Sequence, residues 1–254
     1  MQIEIPEGNL LNVIEPHEKP PLKNPEGKLR ALLDNPIGGD KLVDLVKPSD
    51  KVALISSEYM RMPYTWILAP VVVDVLKEVG VKDENIYLVN APGTHQTEEQ
   101  QLVNPLVHKL FGPLSGQHQL VCHDCDKRDK LSYVGDTDLG TPVWINKTVA
   151  ECDVKIGFGE VKPHHSGGHC GGGKIINPGI CGRASISSMH RRVMYDGFRE
   201  HSIGGPDEIY PQNMVRRDMN DSAVVAGLDM KIDTVTNPVS RTLADIYAGD
   251  VIEE

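Results

Sequence analysis

Short apolar runs alternate with longer amphipathic ones along most of this chain. "KVALISS" (51–57), "NIYLVNAPG" (85–93) and "DVKIGFGEV" (153–161) are brief and nearly all apolar, as expected for strands covered on both faces of a sheet. "PYTWILAPVVVDVLKEVGV" (63–81) has helical spacing, with Pro63 near its start, Gly80 near its end and Pro70 expected to kink or shorten it. "TEEQQLVNPLVHKL" (97–110) reads as a helix opened by Thr97 with acids in its first turn. Residues 183–194 and 213–228 also read as helical, and "MKIDTVTNP" (230–238) and "RTLADIYAG" (241–249) as closing strands. At the N-terminus a strand pair, a small β-hairpin, is expected before a Pro-rich linker at 15–28. The alternation predicts an α/β fold: a mostly parallel, Rossmann-like sheet flanked by helices. No internal repeat interrupts it.

Composition changes this picture little. The 254 residues are 39% hydrophobic and 24% charged, an ordinary globular balance, with a net charge of −10. That charge disfavours a nucleic-acid partner, which needs clustered Lys and Arg. No apolar run approaches the ~18 residues of a membrane span. The first residues, "MQIEIPEGN", lack the basic-then-apolar order of a secretory signal, so a cytoplasmic location is expected. The cysteines at 122, 125, 152, 170 and 181 are an odd set and read as reduced thiols. A zinc knuckle built on Cys122, Cys125, His118 and His123 is the alternative, but the sequence lacks its second ligand pair.

Candidate chemistry collects where the apolar runs end. In open α/β sheets ligands bind beyond the carboxyl ends of the strands. The first run leads into Glu58 and Arg61, the second into His95, and the third into His164, His165, His169 and Lys174. All three loops are therefore expected on one rim. The segment from Gly168 to Lys174 imitates a phosphate-binding loop, but Ile175 stands where a magnesium-binding Ser or Thr is needed. Pro178 and Gly179 would also break the helix that should follow. A lysine among small residues can instead anchor a cofactor covalently, and histidine serves as acid–base or metal ligand. Lys174, with His164 ten residues before it and His190 sixteen after, offers an anchor, a proton carrier and a metal ligand.

Several motifs resemble those of the nickel-dependent lactate racemase family. They are "EYMRMP" (58–63), "GTHQTEE" (93–99), "CHD" (122–124), "GTPVWIN" (140–146) and "PHHSGGHCGGGKIINPG" (163–179) followed by "MH" ending at His190. The resemblance implies a nickel-pincer nucleotide joined to Lys174, with His190 as the nickel ligand. It further implies His95 and His164 as paired catalytic acid–bases, Arg61 as the substrate's carboxylate contact, and Glu58 in place of a neighbouring aspartate. The implied reaction is racemisation or epimerisation of a 2-hydroxy acid by proton-coupled hydride transfer. A non-catalytic metal- or cofactor-binding module is the alternative. Family members are longer, so residues 1–254 are expected to form a single cofactor-binding domain like their N-terminal one. The C-terminal domain would be absent, and a partner chain or a homo-oligomer would complete the site. Glu58, Met60, Met62, His165, His169 and Cys170 depart from the family pattern, which leaves the hydroxy acid open.

Overall fold

The computed structural model describes residues 3–61, 63–195 and 213–253. Its strands are β1 (Val52–Ser57), β2 (Ile86–Ala91), β3 (Gln119–Cys122), β4 (Leu131–Asp136), β5 (Pro142–Asn146), β6 (Val154–Glu160), β7 (Pro163–His164), β8 (Gly168–His169), β9 (Met230–Thr236) and β10 (Leu243–Gly249). The helices are α1 (Pro25–Asp34), α2 (Leu42–Leu45), α3 (Thr65–Val79), α4 (Glu98–Leu102), α5 (Pro105–Phe111), α6 (Lys147–Ala150), α7 (Arg183–Tyr195) and α8 (Met214–Ala226). Six strands form one sheet in the order β10-β9-β6-β1-β2-β3. All neighbours pair in parallel except β10, which runs antiparallel to β9. Strands β4 and β5 make a separate hairpin, and β7 with β8 a two-residue ribbon inside the glycine loop.

Both faces of the sheet are covered, which is why its strands are so apolar. Val52 and Leu54 of β1 join one core with Leu29 and Leu33 of α1, Leu68 and Val72 of α3, and Phe111 of α5. Ala53 and Ile55 face the other core, with Ile145 of β5, Ile186 of α7 and Ala223 of α8. Each fully buried Val, Leu or Ile contributes about 1.5–3 kcal/mol. From β1 the chain moves to β2 and β3 on one side, and later to β6 and β9 on the other. The loops after β1 and β6 therefore diverge, opening a crevice at their carboxyl ends.

The structure departs from the sequence reading in four places. No strand forms in residues 3–24, so the N-terminal hairpin is absent among the described residues. Ile3, Ile5, Leu11, Val13 and Ile14 are exposed there: the alternation is present but has no sheet edge to pair with. The expected linker ends earlier than 28, because the Asn24 side chain accepts the Gly27 N–H and opens α1 at Pro25. Helix α3 runs through Pro70 without being shortened. Leu68, Ala69, Val72 and Val73 on either side are buried, and that burial outweighs a proline cost of about 3 kcal/mol. The stretch at 97–110 is two helices, since Asn104 caps a new start at Pro105.

Glycines on β6 bring the sheet close to what lies above it. A Cβ on Gly159 would fall 2.4 Å from Asp233 Oδ1 and 2.8 Å from Lys231 Nζ, both buried. Gly159→Ala is expected to destabilise the protein by about 1–3 kcal/mol, lowering Tm by several degrees in thermal unfolding. Gly116→Ala, with no atom within 4 Å of the added Cβ, is expected to stay within about 0.5 kcal/mol of the parent. Equal stability of the two variants would contradict the close approach.

Candidate active site

A cavity of about 440 Å³ opens at the carboxyl ends of β1, β2 and β6, and Glu58, Arg61, His95, His164, Lys174 and His190 all line it. Three strand-end loops and one helix thus meet at the crevice the topology creates. His169 is not among the lining residues. Its Nδ1 bonds its neighbour's carbonyl, Cys170 O, at 2.7 Å.

Glu58 organises the first two loops. Its Oε1 lies 2.6 Å from His95 Nδ1 and 3.4 Å from Arg61 Nε. A carboxylate oxygen accepts, so the proton on His95 belongs on Nδ1 and Nε2 is left as a base. The β2 loop is also held by its backbone, Gly93 N donating to Gly179 O at 2.9 Å. Gly93 has φ 61°, and a Cβ there would crowd Pro178 O at 3.3 Å.

The third loop is shaped by residues that arrive much later in the chain. Arg216 of α8 is 1% exposed. Its guanidinium donates to the carbonyls of Gly167 and Gly171 at 3.0 Å each, and to that of His169. Asp233 Oδ2 accepts the Gly172 N–H at 2.7 Å, and Asn220 Oδ1 the Gly173 N–H at 3.2 Å. A buried loop must have its backbone polar groups satisfied, and these three side chains do that. Lys174 follows on a short 3-10 turn, Gly172–Ile175, not on the helix that a phosphate-binding loop would need.

Lys174 Nζ lies 2.7 Å from His164 Nε2. On the other side of that ring, Nδ1 receives the backbone N–H groups of Ser166 at 3.4 Å and Gly167 at 3.2 Å. Backbone N–H groups only donate, so Nδ1 is bare and the ring's proton belongs on Nε2. The lysine nitrogen is then the acceptor, which requires a neutral amine. Electrostatics agrees in direction. Burial, opposed by Cys170 and reinforced by the nearby charges of Arg61, Arg216 and Lys162, brings Lys174 down to about 8. Burial, followed by Lys174, His165, Arg61 and Arg216, pushes His164 down to about 3. The exposed His165 ring stacks on His164 with centroids 4.5 Å apart.

His190 projects from α7. That helix is fastened to α8 by Arg192, whose Nε donates to the fully buried Asp218 at 2.8 Å. Asp218 also accepts from Thr137 and Thr141 of the β4–β5 hairpin, each at 2.6 Å. Burial, followed by Lys174 and His165, lowers the His190 pKa, which favours the neutral ring a metal requires.

Lys231 and Glu160 also line the cavity, and sequence reading missed both. Lys231 Nζ is paired with Asp233 and bonds Ile232 O, while Glu160 Oε2 pairs with Lys162 at 2.5 Å. The signal was present: Lys231 and Asp233 are charged residues two apart in an apolar strand, hence on one face.

Among the described residues, the only group of three or more His, Cys, Asp or Glu side chains close enough to share an ion is Asp124, Cys125 and Asp126. There Asp126 pairs with Arg183, and Asp124 accepts the backbone N–H groups of Glu98 and Asp126. The zinc-knuckle histidines are engaged elsewhere. His123 Nε2 faces Cys181 O at 3.0 Å and His118 Nδ1 faces Asp83 O at 3.2 Å. Among the described residues His190 belongs to no group of three or more such ligands, so a metal held there would draw ligands from outside such a cluster.

The fold is an α/β domain whose cleft, at the switch point of the sheet, is lined by a half-buried amine and several imidazoles. The chain belongs to the lactate racemase family, whose N-terminal-domain model matches residues 1–201. It is 27% identical to the lactate racemase of Lactiplantibacillus plantarum over 86% of its own length and 49% of that protein's. It is 26% identical to that of Thermoanaerobacterium thermosaccharolyticum over 88% and 50%. The lactate racemase apoprotein structure from the latter organism superposes with a TM-score of 0.77, covering 90% of this chain and 52% of that one. A Thermotoga maritima protein, 22% identical, shares the fold with a TM-score of 0.68 over 91% of this chain and 56% of its own. The chain spans about half the length of these relatives. No described helix is long and apolar enough to cross a membrane.

Two solution measurements test the geometry. Amine-selective labelling of Lys174 is expected to rise with pH through a midpoint near 8, against the ordinary lysine value of 10.5. A midpoint near that of surface lysines would contradict the buried neutral amine. Nitrogen-15 NMR of His164 is expected to show a bare Nδ1 and a protonated Nε2, with no ring protonation until the pH falls toward about 3. The opposite tautomer would overturn the assignment.

Proposed function

We propose that this chain is the cofactor-binding domain of a lactate-racemase-like isomerase that interconverts the stereoisomers of a 2-hydroxy acid. The observation that carries the reading is one cavity lined by four imidazoles, His95 and His164 among them, with the Arg61 guanidinium and an amine of depressed pKa.

The residues present fit a nickel-pincer nucleotide. Lys174 supplies the nucleophilic nitrogen for covalent attachment. His190 would supply a single imidazole to a metal whose remaining ligands come with the nucleotide, and soft sulfur donors suit nickel. Gly93, Gly171 and Gly179 line the cavity, and a Cβ on each would meet Pro178, Asp233 or Ile175, so close-packed backbone forms part of the wall. When bound, the nucleotide supplies hydride acceptance and return at the substrate's second carbon.

The chain's own residues do the rest. Arg61 holds the carboxylate as a planar fork. His95, its Nδ1 proton committed to Glu58, presents a bare Nε2 to the substrate hydroxyl and takes its proton. His164 begins with its Nε2 proton given to the amine. Attachment at Nζ removes the lone pair that receives this proton, so the same reaction that loads the site frees the His164 ring for a substrate oxygen. Two imidazoles are needed because opposite stereoisomers present their hydroxyls from opposite sides. A unit covering the exposed His95 and His165 side of the cavity, as a partner chain or second copy, completes the reading. It answers to the chain's spanning half of its relatives.

Co-expression with the cofactor-making enzymes is expected to raise the intact mass, and Lys174→Ala to abolish the increase. His95→Ala and His164→Ala are each expected to lower racemisation by about 10²–10⁴-fold with bound nickel retained. Loss of nickel in either variant would mean the roles are misassigned. Nickel without turnover, even with a covering partner present, would favour a non-catalytic carrier.

A further inference from the structure

The amine at the cavity floor has a consequence that does not require the nucleotide. We propose that, while Lys174 is unmodified, its amine captures small carbonyl compounds bearing a carboxylate, 2-oxo acids above all, as an imine at Nζ. The site would then hold a reversible, self-limiting ligand before it is loaded.

Three observations converge on this. The two backbone N–H groups on His164 Nδ1 place the ring's proton on Nε2 and make Lys174 Nζ its acceptor, so the nitrogen keeps a lone pair. Burial supports this: with a pKa brought down to about 8, roughly a tenth of the amine is neutral at pH 7 even without that hydrogen bond. The other lysine lining the cavity cannot compete, because Lys231 Nζ is fully buried and ion-paired with Asp233. Finally, the cations near Lys174 select for an anion, and only one of them suits a ligand. Arg216 is spent on three carbonyls and Lys162 on Glu160. Arg61 keeps its Nε beside Glu58 at 3.4 Å but directs its Nη1 at Cys170 Sγ, 3.8 Å away, a weak acceptor that a carboxylate readily displaces.

The step balances without oxidant or reductant. The Nζ lone pair adds to the carbonyl carbon, and the carbonyl oxygen takes up the two protons that leave nitrogen. That oxygen departs as water as the C=N bond forms. On attack the amine releases the Nε2–H of His164, which can then polarise the carbonyl oxygen. Hydrolysis reverses the sequence.

The choice of a carboxylate-bearing carbonyl rests on the Proposed function's assignment of Arg61; the capture itself does not. The test uses protein expressed without the cofactor-making enzymes, incubated at pH 7.5 with cyanoborohydride and either pyruvate or acetone at equal concentration. Intact mass and peptide mapping then locate the reduced adduct. The expected result is one dominant adduct at Lys174, with pyruvate labelling it at least about tenfold faster than acetone, the scale of a charge-assisted hydrogen bond. Arg61→Gln is expected to abolish that preference while acetone labelling of Lys174 persists. Pyruvate labelling of Lys174 no faster than of surface lysines would overturn the proposal. Equal labelling by pyruvate and acetone would overturn its carboxylate selectivity, and so the proposal as stated. Racemase activity is measured separately, by nickel content and turnover of the loaded protein, so either can fail while the other stands.

Discussion

The guanidinium of Arg216 is the contact on which the site depends. The segment from Gly167 to Gly173 is almost without side chains and largely buried, so it has no apolar surface of its own to order it. Its carbonyls and N–H groups would be costly to bury unpaired, at about 1–3 kcal/mol each. Arg216, Asp233 and Asn220 satisfy them from α8 and β9. The positions of Lys174 and His164 follow from that clamp. A buried cation is itself expensive, and Arg216 is tolerated because it ends on carbonyl oxygens of the same loop. Clamp and loop each make the other's burial affordable.

How much of this can be read from the sequence depends on whether partners are close along the chain. Strands β1, β2 and β6 are legible because a strand covered on both faces is written as an uninterrupted apolar run. Once those strands are placed, the rule that ligands lie beyond their carboxyl ends brings Glu58, Arg61, His95, His164 and Lys174 to one cavity, where the structure has them. His190 comes from a helix and not from a strand end, so the strand-end rule does not reach it; its distance along the chain from Lys174 and the family resemblance indicated it.

What stays illegible is long-range. Arg216 reads as one more charged residue on an amphipathic helix, and its three acceptors lie some 45–49 positions earlier. The β4–β5 hairpin is short and half-exposed, so its pattern is weak. The expected N-terminal hairpin fails for the converse reason: local alternation is necessary for a strand but does not create a neighbour. Pro70 illustrates tertiary override, a local penalty exceeded by the packing of four adjacent side chains.

Helix α8 has a role that neither loop nor cleft reveals alone. Arg216 and Asp218 lie two residues apart, so they leave the helix about 200° from each other. One reaches the carbonyl of Gly171, just before the turn that carries Lys174; the other, through Arg192, reaches the helix that carries His190. The interval between the amine and the distal imidazole is thus gauged by a single rigid rod, as two jaws are set by one caliper beam. A ligand spanning both must match that fixed gap, and drift in the rod would move both jaws together, leaving the caliper's calibration intact.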